Sequence, residues 1–482
     1  MFPLNQMKYQ HINLNIMKNK LLLLSFFTIG FLNAQTCWKQ LSAGAEFTAG
    51  IANDGTLWAW GLNSSGQLGD GTTTDKWQNL NQSSSLTNWD KIATGGIHCI
   101  AIKTDGTLWA WGNPSFGRLG LGNINNLVIT PTQIGVDNDW VAVAAGDASS
   151  FAIKSNGTLW AWGVNENGQL GDGSFVNKNI PTQIGTATDW AQVASGGGHT
   201  LALKTNGNLW AWGNDTSGQL GINGQNNTTS TPIQVPNAQF NQIACGFISS
   251  YGIKSDGTLW AWGSNTYGNL GIGNTTLQQT PVQVGTDTDW IKVSSGLTHV
   301  LAIKSDSTLW AWGRNHRGQI GNNSLDFVSS PVQINSGTQY TTVIADCNIG
   351  GNNSNYSFSM AIKTDGNLQS WGDNERGQLG IGSRFNFRQT PQDVACPVAL
   401  STTDFDEKQF TVYPNPSNGI FYFNNSNSIE FEAVIFDSLG KQIARFKNKE
   451  VIDISNVSKG IYFVKINDFQ NQKTFTFKIV KS

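Results

Sequence analysis

The chain is poor in charge: Lys, Arg, Asp and Glu make up 13% of 482 residues, about half the share in an ordinary globular domain. Nowhere do apolar residues recur at the 3.6-residue spacing of an amphipathic helix, which argues against a helical bundle. A basic stripe is also missing. Residues 1–34 hold three Lys and no acid, and residues 401–482 hold ten basic and nine acidic residues. Of the 30 basic and 32 acidic residues in all, 35–400 therefore keep 17 and 23, a net −6. Phosphate affinity needs clustered Lys and Arg, so nucleic acid is not expected as a partner. No CxxC, HExxH, P-loop or nucleophile elbow occurs, so no catalytic set, metal or cofactor is expected.

His is scarce too, with five in the chain. Three of them, His98, His199 and His299, share one position of a repeat, which Phe47, Ser149, Ser249 and Phe358 fill elsewhere. None has an acid or a second ligand at fixed short spacing, so they read as structural. Long apolar runs are limited to Leu21–Leu32, about a dozen residues after Lys18 and Lys20 and before Asn33-Ala34-Gln35. That pattern is a signal peptide, with cleavage at Ala34 and Gln35, and is too short for a membrane span. No transmembrane segment is expected in the mature chain.

The sequence is rich in Gly (54) and Trp (19). The phrase DGTLWAWG at Asp54 recurs with small variations from Asp105, Asn156, Asn206, Asp256, Asp306 and Asp365. Its final Trp falls at Trp60, Trp111, Trp162, Trp212, Trp262, Trp312 and Trp371, with spacings of 51, 51, 50, 50, 50 and 59. One repeat reads as four strands: Trp140–Gly146, Ser150–Lys154, Thr158–Gly163 after an Asn-Gly turn, and Pro181–Gly185. Proline suits the start of the last, where no ladder donor is needed. Four short strands repeated seven times fit a β-propeller. Trp160 and Trp162 should lie on one face, with Leu159 and Ala161 on the other. The large face of one blade would then meet the small face of the next, each Trp burying roughly 150–250 Å².

After the repeated Trp strand comes Gly-x-Asn-x-x-Gly-Gln-Leu-Gly at Gly61–Gly69, Gly163–Gly171, Gly313–Gly321 (with Ile320) and Gly372–Gly380, with variants in the other blades. On these residues the region of about 38–395 resembles the regulator-of-chromosome-condensation repeat family. The resemblance implies a seven-bladed propeller. It does not carry over the nuclear activities of the founding member. The two residues between Asn and Gly vary from blade to blade, which makes them the candidate ligand positions. Phe116, Tyr267, His316, Arg317, Glu375 and Arg376 stand out there, aromatic rings and fork-shaped donors being favoured interface anchors. The blade-seven insertion Asn348–Asn355 should rim a binding face. Of five Cys, Cys37 and Cys396 flank the array and become neighbours if it closes, so a disulfide between them would lock the ring. Cys99 and Cys245 read as core fillers.

Beyond Pro397 the Trp stop, and alternating short strands suggest an antiparallel β-sandwich. Tyr413-Pro414-Asn415-Pro416, Gly419, Asp453-Ile-Ser455, Lys459-Gly460-Ile-Tyr462 and the terminal Lys478–Lys481 closely resemble the type A sorting domain of the type IX secretion pathway. That resemblance implies the type IX secretion machinery as a partner and a secreted or surface location.

The expected fold class is all-β, a seven-bladed β-propeller plus a small C-terminal antiparallel β-sandwich. Its divisions are a signal peptide (1–34), the propeller (35–398), a linker (399–409) and the sorting domain (410–482). The expected function is a monomeric binding scaffold for an extracellular protein or polysaccharide. The alternatives are an extracellular enzyme with a site on a propeller face and a purely structural surface component.

Overall fold

A computed structural model of the chain describes residues 37–84, 86–223, 228–346, 357–397, 410–425, 430–437, 441–449, 451–468 and 473–482. The expected signal peptide, linker, blade-seven insertion and Cys347 lie outside these residues. The chain divides into two compact units after Cys396.

The first unit is a ring of seven four-stranded antiparallel sheets, each built from consecutive strands. The blades span 38–84, 89–133, 140–183, 190–239, 242–283, 290–334 and 340–394. First strands of successive blades touch in cyclic order, and that of blade seven touches that of blade one. Inner strands therefore encircle the axis. Among the described residues, each blade takes all four of its strands from one continuous stretch of chain. Cys37 and Cys396, with Cα atoms 5.6 Å apart, are joined across 359 residues of sequence at this closure.

The outer strand of the third blade is Lys178–Gln183. It begins three residues before the expected Pro start, and Pro181 sits inside it, near a register shift between Ala161 and Gly163. An edge strand tolerates this, because one row of its backbone groups needs no ladder partner.

Packing between blades follows the alternation of the WAW strand. Leu159 and Ala161 of blade three cluster with Trp190, Trp210 and Trp212 of blade four. The same small-on-large arrangement joins blades one and two, where Leu57 and Ala59 meet Trp89, Trp109 and Trp111. Within a blade, the first-strand Trp89 meets Trp109 and Trp111 edge-on, at 5.9 and 6.0 Å between centroids. Each fully buried Trp removes roughly 150–250 Å² from water, on the order of 4–6 kcal/mol gross before chain entropy.

The final Trp of each WAW also reaches into the preceding blade. Its indole N–H donates to the carbonyl of the residue before Leu/Ile-Gly in that blade's turn. The seven bonds, from Trp60→Gln378 round to Trp371→Gln319, measure 2.8 to 3.0 Å. They explain the last Gly of the turn. At Gly171 a Cβ would stand 2.6 Å from Trp212 Nε1, and φ is +80°. Any larger residue there meets both a steric and a conformational barrier.

The second unit is a β-sandwich of a three-stranded and a four-stranded sheet. Its core includes Phe421, Phe431, Ile435, Ile452, Tyr462, Val464 and Ile479. The motif residues brace its loops. Asn415 Oδ1 accepts the Val480 N–H at 2.8 Å, and the Tyr462 hydroxyl donates to Ser458 O at 2.7 Å. Gly419 (φ +119°) leaves no room for a Cβ beside Ser455. The Lys481 ammonium is buried on the carbonyls of Ile454, Ser455 and Val457. Tyr413 stacks on Tyr422 at 5.9 Å, while Pro414, Pro416 and Lys459 are exposed.

Candidate functional site

The Gly-x-Asn-x-x-Gly-Gln-Leu-Gly turn is rigid because its amide side chains complete its backbone. Asn165 Oδ1 accepts the Leu170 N–H at 3.0 Å, and Gln169 Oε1 accepts the Asn167 N–H at 2.9 Å. The pair recurs as Asn63/Gln67, Asn315/Gln319 and Asn374/Gln378. In blade four Asp215 stands in for Asn. With Asn and Gln occupied inward, the two residues between the Asn and the Gly project outward and can vary without cost to the turn.

From blade five round to blade one, the projecting residues form a continuous arc. The Arg314 guanidinium lies 4.6 Å from the Tyr267 ring centroid, linking blades five and six. His316 follows, its Nδ1 3.4 Å from Gln319 Nε2. Arg317 reaches blade seven, with Nη2 3.2 Å from Glu375 Oε1 and Nε 3.8 Å from Asp373 Oδ1. Arg376 reaches blade one, with Nε 3.2 Å from Glu46 Oε2 and Nη1 3.8 Å from Asp75 Oδ2. Tyr267, His316, Arg317, Glu375 and Arg376 are thus brought together. Phe116 is not: it lies in blade two, 53% exposed with φ +63°, and its neighbouring cation is Arg118 at 5.5 Å.

Burial shapes the charge of the arc. Asp373 is fully buried, and desolvation pushes its carboxyl up to about 6 despite the nearby Arg317. Desolvation raises Glu46 as well, against the lowering effect of Arg376. Neither Arg317 nor Arg376 is a free donor. Each already bridges two blades, and a ligand would approach a guanidinium whose orientation is fixed by its own protein.

Arg314, Asp373 and Glu46 were missed by the sequence reading. For the first two a signal existed, because the x of Gly-x-Asn also varies: Leu62, Asn113, Val164, Asn214, Ser264, Arg314 and Asp373. Glu46 lies in the turn between the first two strands of blade one, and nothing in its surroundings in sequence points to Arg376.

The three histidines lie fully buried inside the ring. Their Nε2 atoms meet Ser150, Ser250 and Ser359 of the next blade at 2.9, 3.0 and 2.9 Å. Burial holds His199 down to about 4 and His299 to about 3, so both stay neutral. They join even-numbered blades to their successors. Among the described residues no group of three or more His, Cys, Asp or Glu could hold a metal ion, and no helix is long and apolar enough to cross a membrane.

Comparison with known proteins gives two family matches. Residues 25–242 and 91–409 match the RCC1-like domain, and residues 411–482 match the secretion system C-terminal sorting domain. Among related proteins, the mitochondrial RCC1 domain-containing protein RUG3 of Arabidopsis thaliana is 36% identical over 27% of this chain and 30% of its own. The ultraviolet-B receptor UVR8 of the same plant is 31% identical over 29% and 32%. The aligned stretch thus spans about a third of each relative's length. Among solved structures, Prp20p of Saccharomyces cerevisiae superposes with a TM-score of 0.63 at 22% identity, over 74% of this chain and 88% of that one. This last likeness bears on the fold alone. The sorting domain makes this a secreted or cell-surface protein.

Proposed function

The chain belongs to the RCC1-like domain family, and from that premise we propose that it serves outside the cell as a binding scaffold. It engages a protein or polysaccharide partner through the arc of Tyr267, Arg314, His316, Arg317, Glu375 and Arg376. One observation carries this reading. The ring repeats its packing residues with few exceptions, yet over three adjacent blades the outward turn residues become aromatic and charged and lock one another in place. Preorganised rings and guanidinium groups lose little entropy on binding, which suits a recognition surface. Export by the type IX route delivers that surface to extracellular partners.

The test is capture by the immobilised full chain, offered purified surface polysaccharide in one arm and an extracellular protein fraction in the other. A saturable ligand should bind the native chain and lose affinity by about tenfold or more in the Tyr267→Ala/Arg376→Ala variant. Phe116→Ala, on a separate blade, should bind normally. A ligand held equally by the arc variant would place recognition elsewhere. A folded chain that captures nothing would favour a purely structural component.

A further inference from the structure

Six blades carry a Lys at the end of the second strand; four of these pair with aspartates, and the two that do not, Lys103 and Lys254, differ in burial. Lys154 lies 2.7 and 3.0 Å from Asp137 and Asp139. Lys204 pairs with Asp189 at 3.0 Å, Lys304 with Asp287 and Asp289 at 2.9 and 3.2 Å, and Lys363 with Asp393 at 3.1 Å. Lys103 lies buried over the Trp109 ring, 3.6 Å from its centroid. Lys254 is only half-buried, and among the described residues no carboxylate forms an ion pair with it. It opens instead on a cavity of about 470 Å³ between blades four and five.

The cause lies in the connection between those blades. Residues 236–240 read Pro-Asn-Ala-Gln-Phe, where the link from blade three to four reads Gly185-Thr-Ala-Thr-Asp189-Trp190. The acid that blades three, four and six place before the aromatic, Asp139, Asp189 and Asp289, is Gln239 here, and Phe240 stands where five other blades have Trp38, Trp89, Trp140, Trp190 and Trp290. A smaller ring leaves space, and the lost acid leaves a cation. Walls of Ile222, Pro236, Phe240, Trp260 and Pro281 enclose the space, with Lys254 set into them. The ammonium is held over Trp260, 3.7 Å from its centroid, a weak attraction at a partly exposed site. That leaves it available to a stronger, charge-assisted hydrogen bond.

We propose that this cleft binds a small carboxylate with an apolar, ring-sized body, the carboxylate replacing the aspartate partner that blades three, four, six and seven supply from their own chain. The volume lies within the range of small-molecule sites, and the pattern of apolar walls around one charge is typical of them. The site is independent of the arc on blades five to one.

Calorimetric titration of the full chain with phenylacetate tests the idea, with benzyl alcohol as its neutral counterpart and glucuronate as a polar acid. Phenylacetate should saturate a single site and benzyl alcohol should not. Lys254→Gln should weaken phenylacetate binding about tenfold or more, the loss of one charge-assisted contact. Phe240→Trp, which restores the residue of the other blades and fills the cavity, should abolish it. Lys154→Gln, at a site with its own acids, should leave it unchanged. Glucuronate binding as tightly as phenylacetate, and losing affinity in the same two variants, would identify the acid of a glycan as the source. Absence of saturation by both acids, or binding indifferent to Lys254→Gln and Phe240→Trp, would overturn the proposal.

Discussion

Six junctions of the ring join blades that follow one another in the chain, and the seventh joins the two ends. At their centre the two kinds are the same. Trp162 donates to Arg118 O, and Trp60 donates to Gln378 O across 318 residues of sequence, with bonds of 3.0 and 2.9 Å. At their edges they differ. The closing junction adds the Cys37–Cys396 link, the Arg376 bridge to Glu46 and Asp75, and Arg384 stacked 4.6 Å from the Trp77 centroid. The internal junctions instead have chain continuity, and three of them carry a buried His–Ser contact that the closing junction lacks. Blade packing alone thus supplies one standard contact at every junction. Where no peptide connects the blades, the disulfide stands in for it, whereas ionic ties occur at internal junctions as well, as in Arg317–Glu375 and Lys39–Asp90.

The largest effect that tests this comparison comes from the shared contact. Trp60→Ala and Trp162→Ala should each destabilise the fold by about 3–5 kcal/mol, the cost of a large buried ring and its hydrogen bond. Chemical denaturation with the disulfide intact should give similar values for both. A much larger loss at Trp60 would show that the closing junction depends on its ring contact more than the others do.

Next comes the covalent tie. Cys37→Ser/Cys396→Ser should lower stability by about 2–4 kcal/mol, since a long loop is no longer closed in the unfolded chain. In that background Trp60→Ala should cost more than Trp162→Ala, because the ring now has an end that can open. Equal costs in both backgrounds would mean that the disulfide contributes nothing specific to closure.

The smallest effect is electrostatic and has a sign. His199 is neutral in the fold down to about 4 and His299 to about 3, against about 6.5 in an unfolded chain. The unfolded chain binds the extra protons, so stability present above 6.5 is lost as pH falls towards these values. Asp373, raised to about 6 by burial, acts the other way, gaining stability on protonation between roughly 6 and 4. Acidification to pH 5 should therefore lower amide protection factors, corrected for the intrinsic pH dependence of exchange, at the His-bearing junctions of blades two to three, four to five and six to seven, while the closing junction, which has no such His, keeps its protection. Uniform acceleration round the ring would show that the histidines do not set the acid limit.

Much of this was legible in the sequence, for identifiable reasons. WAW at a fifty-residue period reports strand alternation and blade packing together, since both faces of a blade are buried and neither tolerates drift. The last Gly of the turn was visible as invariant among the blades, but its reason was not: the obstacle at Gly171 is Trp212 of another blade. The arc shows the same limit. Arg317 and Arg376 could be picked out as unusual turn residues, but not that they already hold Glu375 and Glu46. In the same way Phe240 was a visible exception in a column of Trp. The cavity it leaves depends on the paths of two neighbouring strands.

The sequence by itself determined the class of fold, the number of blades, the rigid turn after each WAW strand and the sorting module. These depend on local periodicity and on turn chemistry confined to a few residues. Only the tertiary structure decided which blade each indole bonds to, which carboxylate each guanidinium holds and which lysine is left facing a cavity. Those contacts join residues from 43 to more than three hundred positions apart, and the geometry of ring closure, rather than any local pattern, sets which of them meet.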